Sequence, residues 1–121
     1  MAKILVVDDE KQLLEYTKPS LEKRGYEVIT ALTAQEAMEI YPKENPEIVL
    51  LDLGLPGING RDVLKDIKAK APRIKVIIVS GYTDPETKKE LISLGADYFL
   101  NKPVIPAKLY DLIKEILDKG K

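Results

Sequence analysis

Two apolar patterns alternate along this chain. Unbroken apolar runs at Lys3-Ile4-Leu5-Val6-Val7, Ile48-Val49-Leu50-Leu51 and Lys75-Val76-Ile77-Ile78-Val79 read as strands buried on both faces, because no polar residue alternates within them. Glu27-Val28-Ile29-Thr30 is shorter and more polar, which predicts an edge strand, and Asp97 to Leu100 predicts a fifth. Between the runs, buried positions recur at helical spacing. Residues 10–24 carry Leu13, Leu14, Thr17 and Leu21, with Pro19 predicted to bend that helix and Gly25 to stop it. Thr33-Ala34-Gln35-Glu36 has the form of a capping box opening a short helix to about Tyr41, after which Pro42 and Pro46 bracket a loop. A third helix follows Gly60, with a stripe of Val63, Leu64, Ile67 and Ala71, and ends at Pro72. Asp84-Pro85 predicts an N-cap and first helical position for a fourth helix closed by Gly95. A fifth begins near Pro106 and buries Leu109, Leu112, Ile113, Ile116 and Leu117.

Five strands alternating with five helices imply an α/β fold, a doubly wound parallel sheet. Strand order does not follow from the alternation. With 121 residues and no linker or repeat, the expectation is one domain over 1–121 with no output domain in this chain. Lys+Arg 19 against Asp+Glu 20 leaves no bulk electrostatic drive toward nucleic acid, and no apolar run is long enough to enter a membrane. A cytoplasmic location is expected. The chain has no cysteine and no histidine. Thiolate and imidazole metal sites, thiol catalysis and histidine acid–base chemistry are thereby excluded.

The ends of the parallel strands carry the candidate chemistry. Asp8-Asp9 follows the first run, Asp52 the third strand and Ser80 the fourth, and Lys102 stands shortly after the fifth. In a parallel sheet these ends share one edge, where open α/β sheets bind ligands. Taken singly, each has a bland reading. Asp9 with Gln12 fits a helix cap, Lys102 a solvated turn, Ser80 a strand end and Phe99 the core. Gathered together, Asp8, Asp9 and Asp52 would repel one another unless a divalent cation joined them, and an oxygen-only donor set points to Mg²⁺. A carboxylate beside Mg²⁺, an ammonium and a hydroxyl is arranged to accept a phosphoryl group.

The blocks Val6-Val7-Asp8-Asp9-Glu10, Leu51-Asp52-Leu53-Gly54-Leu55-Pro56-Gly57-Ile58-Asn59-Gly60, Val79-Ser80-Gly81, Gly95-Ala96-Asp97 and Lys102-Pro103 resemble, in order and spacing, the receiver domains of two-component response regulators. The resemblance implies a flavodoxin-like sheet of order 2-1-3-4-5, as in the chemotaxis regulators. It implies that Asp52 accepts a phosphoryl group from a histidine kinase or phosphotransfer protein. Asp9 would bind Mg²⁺ directly, Asp8 through water, and the Gly54 carbonyl would be a further ligand. Lys102 would hold a phosphate oxygen, and the Lys102–Pro103 peptide would be cis. Ser80 and Phe99 would form the switch pair that alters affinity for a downstream protein, in a monomer or a phosphorylation-dependent dimer. Two departures modify this picture. Gly54 has no side chain to place a hydrolytic water, leaving Tyr82 to shield the phosphoryl group. Phe99 lacks the hydroxyl of the commoner tyrosine, so the switched state is expected to be populated before phosphorylation.

Two other functions compete. A Mg²⁺-dependent phosphohydrolase with an aspartyl nucleophile, of the haloacid dehalogenase type, needs Asp-x-Asp after its first strand, where this chain has Asp8-Asp9-Glu10. A flavodoxin-like electron carrier needs a phosphate-binding loop there, and none is present. The receiver reading, a switch rather than an enzyme, is therefore preferred.

Overall fold

The computed structural model describes residues 2–53, 60–81 and 83–119. Its elements run β1 (Lys3–Val7), α1 (Lys11–Glu22), β2 (Glu27–Ala31), α2 (Ala34–Glu44), β3 (Ile48–Asp52), α3 (Gly60–Lys70), β4 (Lys75–Ser80), α4 (Pro85–Ser93), β5 (Tyr98–Asn101) and α5 (Pro106–Lys119). The strands form one parallel sheet in the order β2-β1-β3-β4-β5, so the polar β2 lies at an edge.

Period-two alternation divides the central strands between two apolar layers. Leu5 and Val7, Val49 and Leu51, and Val76 and Ile78 face the layer covered by α2, α3 and α4. Ile4 and Val6, Ile48 and Leu50, and Ile77 and Val79 face the layer covered by α1 and α5. This is why those runs contain no polar residue. Each Leu or Ile side chain so buried contributes roughly 1.5–3 kcal/mol, enough for the layers to outweigh local conflicts in the chain.

One such conflict lies in α2. Pro42 was expected to end that helix near Tyr41, yet α2 continues to Glu44 and closes on Asn45, whose left-handed backbone (φ 54°) lets its N–H bond the Tyr41 carbonyl. Tyr41 is buried, and its hydroxyl donates to Asp66 Oδ2 of α3 at 2.5 Å. That cross-link holds the last turn where proline alone would break it. At the other end of α2, Thr33 Oγ1 accepts from the Glu36 N–H at 3.1 Å, while Glu36 Oε2 accepts from the Leu32 N–H at 3.0 Å and from the Thr33 hydroxyl at 3.5 Å. In α1 the helix runs uninterrupted past Pro19.

β5 begins one residue later than its apolar pattern implied, because Asp97 serves as an anchor. Its Oδ2 accepts from the Val76 N–H at 2.9 Å and from Lys68 Nζ at 2.7 Å. Lys68 also donates to the Ile74 carbonyl at 2.7 Å. Gly95 turns at φ 109°, and a Cβ there would lie 2.6 Å from Lys68 Cγ. Gly95→Ala is expected to cost about 1–3 kcal/mol, readable as a lower urea midpoint, because it adds backbone strain and displaces the Lys68 stem.

Candidate functional site: an acid cluster with a lysine at the sheet edge

β1 and β3 are adjacent and in register from Ile4↔Ile48 to Val7↔Leu51. Their next residues, Asp8 and Asp52, therefore emerge side by side. Asp8 is 3% and Asp52 6% exposed, whereas Asp9 is exposed. One carboxylate oxygen from each of Asp8, Asp9 and Asp52 lies within 4.8 Å of the others, close enough to share one ion. Oxygen donors alone, two of them buried, suit a hard divalent cation. Beneath the cluster is an apolar cavity of about 30 Å³ lined by residues including Val6, Leu50, Val79 and Leu100.

Lys102 reaches this cluster from beyond β5. Its N–H bonds the Ser80 carbonyl at 2.7 Å, which fixes the backbone against the end of β4. The Lys102–Pro103 peptide is cis. Lys102 Nζ donates to Asp52 Oδ2 at 3.1 Å and lies 3.9 Å from both Asp8 Oδ2 and Glu10 Oε1. Partial burial acts to lower the pKa of this ammonium, but the Asp52 hydrogen bond, reinforced by the charges of Asp52, Asp8 and Glu10, outweighs it and holds the pKa above the ordinary lysine value.

Asp8 experiences the opposite balance. Burial pushes its carboxyl above the ordinary range, the Glu10 N–H bond at 2.9 Å pulls it back, the Asp52 charge raises it and Lys102 lowers it. The net shift is upward. Such a carboxyl contributes stability below its unfolded pKa, and that contribution is lost as pH rises through the folded pKa. At neutral pH, without metal, ionised Asp8 is thus destabilising. Asp8→Asn, which keeps an oxygen for the Glu10 N–H, is expected to raise the denaturant midpoint at pH 7 in the absence of Mg²⁺. The gain should shrink as pH falls through the range in which Asp8 is protonated.

Ser80 and Phe99 lie on one face of the sheet. Phe99 pairs with Ile78 across β4 and β5, and Ser80 stands two residues beyond Ile78. Phe99 is partly buried against the α2–α4 layer, and Lys88 Nζ of α4 sits 5.1 Å from its ring centroid. Gly60 approaches the end of β3 closely, since a Cβ there would lie 3.1 Å from the Leu53 carbonyl oxygen and 3.3 Å from that of Asp52. The candidate positions Gly54 and Tyr82 lie outside the described residues. Asp9 does not cap α1, because Glu10 occupies the N-cap position and makes no side-chain cap bond. The residue the strand-end reading left out is Glu10. Its only signal in the sequence is its place directly after the acid pair.

A five-stranded parallel sheet of order 2-1-3-4-5, with acids at the ends of β1 and β3 and a lysine beyond β5, defines a class. The chain belongs to the response regulator receiver domain family, whose model matches residues 4–114. It is 41% identical over 105 residues to the transcriptional regulatory protein KdpE of Mycobacterium tuberculosis, covering 85% of this chain and 45% of that protein. It is 34% identical over 115 residues to sporulation initiation phosphotransferase F of Bacillus subtilis, covering 95% of this chain and 93% of that one. Among solved structures, a CheY-like receiver domain protein from Methanospirillum hungatei superposes with a TM-score of 0.94 at 38% identity, covering 98% of this chain and 95% of that one. The chain spans about half the length of KdpE and of several other curated relatives it matches. As a receiver domain it is a phosphoaccepting signalling switch. Domains of this family work between histidine kinases or phosphotransfer proteins and downstream effectors. Among the described residues no helix is long and apolar enough to cross a membrane.

Proposed function

We propose that Asp52 is the phosphoacceptor and that Mg²⁺ is the ion held by Asp8, Asp9 and Asp52. The observation that carries this reading is the 3.1 Å contact from Lys102 Nζ to Asp52, made across the sheet edge beside two further carboxylates. An Asp52 oxygen forms a bond to phosphorus as the P–N bond of the donor's phosphohistidine breaks and the imidazole leaves with the electron pair, while Lys102 balances charge on the arriving phosphoryl oxygens. Bound Mg²⁺ supplies the remaining positive charge that the acid cluster and phosphoryl group require. Asp9 would ligate directly and Asp8 through water. The donor is a histidine kinase or phosphotransfer protein in the cytoplasm, and the readout is altered affinity for a downstream protein through Ser80 and Phe99.

Incubation with acetyl phosphate and Mg²⁺ tests the reading. One phosphoryl group per chain, located at Asp52 by peptide mass spectrometry and decaying slowly, is the expected result. Sustained turnover of phosphomonoesters without accumulated label would make the protein a phosphohydrolase instead.

A further inference from the structure

Among the described residues, Glu10 has no structural task that would explain its charge. It occupies the N-cap position of α1 without a side-chain cap bond, and its side chain is 65% exposed. Its backbone is fixed independently, because the Glu10 N–H bonds Asp8 Oδ1 at 2.9 Å. The carboxylate nevertheless lies at the mouth of the site, 3.9 Å from Lys102 Nζ. Lys102 does not depend on it for position, having the closer bond to Asp52 at 3.1 Å.

We infer that Glu10 is a specificity-determining residue that selects phosphodonors by charge, an inference that rests on Asp52 being the acceptor. Asp8, Asp9, Asp52 and Glu10 against Lys102 leave three net negative charges, and a divalent ion reduces these to one. Glu10 supplies that residual charge where a donor must enter. A dianionic small donor such as acetyl phosphate is repelled at the mouth. A donor with less net negative charge, or one carried by a protein with a basic surface beside its phosphohistidine, is admitted more readily. The transfer itself is unchanged by Glu10. An Asp52 oxygen forms the O–P bond as the bond from phosphorus to the acetate oxygen breaks, and acetate leaves with the electron pair. With phosphoramidate the P–N bond breaks and ammonia departs with the pair, its nitrogen already protonated in the donor.

The test is a charge series at residue 10, Glu10→Gln and Glu10→Lys, with Glu115→Gln at the far end of α5 as a control for net charge. At saturating Mg²⁺ and low ionic strength, Glu10→Gln is expected to speed labelling by acetyl phosphate about three- to tenfold, and Glu10→Lys to speed it further. Labelling by phosphoramidate, which carries one fewer negative charge, should rise less. The differences should shrink in high salt. Mg²⁺ affinity measured calorimetrically should move the opposite way, falling from Glu to Gln to Lys. A residue that merely supported the site would lower rate and affinity together, so that result overturns the inference. So does an unchanged ratio of the two donors' rates, or an equal acceleration by Glu115→Gln. Failure of the wild-type protein to take label would instead overturn the acceptor assignment itself.

Discussion

Asp52→Asn is expected to reduce labelling by acetyl phosphate in Mg²⁺ to background. The substitution preserves shape, so the carboxamide fits the same buried position at the end of β3. It removes the charge that Lys102 binds at 3.1 Å and replaces the carboxylate oxygen with an amide oxygen that is a poor nucleophile. Neither neighbour substitutes for it. Asp8 is committed to the Glu10 N–H, and Asp9 is exposed, away from the Lys102 hydrogen bond. The fold should tolerate the change, because Lys102 keeps Asp8 and Glu10 at 3.9 Å and the remaining buried acid, Asp8, loses a like charge beside it. Intact mass and an unchanged circular dichroism spectrum check both halves of the expectation. Label retained at the wild-type level, and mapped to another carboxylate, would count decisively against Asp52.

The second large effect is expected at the metal. Among the described residues no hydrogen bond engages the Asp9 carboxylate, so both of its oxygens are available to an ion. Asp8 already accepts a hydrogen bond through Oδ1, and its Oδ2 faces Lys102 at 3.9 Å. A committed, buried carboxylate is better suited to holding a metal-bound water than to giving up its partners. Removal of such outer partners typically weakens metal binding by about 10–100-fold. Asp8→Ala is therefore expected near the lower end of that range, and Asp9→Ala at its upper end or beyond. Calorimetric titration with Mg²⁺ distinguishes the two. Equal losses, or a larger loss for Asp8→Ala, would reverse the assignment of direct and water-mediated ligands.

Most of the architecture was legible in the residues. The unbroken runs of β1, β3 and β4 marked strands covered on both sides, and the polarity of Glu27–Thr30 marked an edge. Asp84-Pro85 and Thr33 to Glu36 marked helix starts, and both are observed with their side-chain bonds. These features were readable because burial and capping are local consequences of residue type at a given spacing. The errors arose where a distant contact outweighed a local preference. Pro42 does not end α2, because the buried Tyr41 is tied to Asp66 in another helix and Asn45 closes the turn. Asp97 is an anchor for Lys68 and the Val76 amide, although its place in the sequence read as strand.

At the site the division is similar. The sequence alone determined that Asp8, Asp9, Asp52, Ser80 and Lys102 stand at or just beyond strand ends, and the absence of histidine and cysteine restricted any metal there to oxygen donors. The resemblance suggested strand order and residue roles, and only the tertiary structure decided the distances. Parallel pairing of β1 with β3 sets Asp8 beside Asp52, and the Lys102 N–H bond to the Ser80 carbonyl brings the ammonium within reach of both. Glu10 became visible only then. Its charge is ordinary in the sequence and matters through its 3.9 Å approach to a lysine 92 positions later in the chain, and the Coulomb energy of a pair depends on separation in space, not on separation along the backbone.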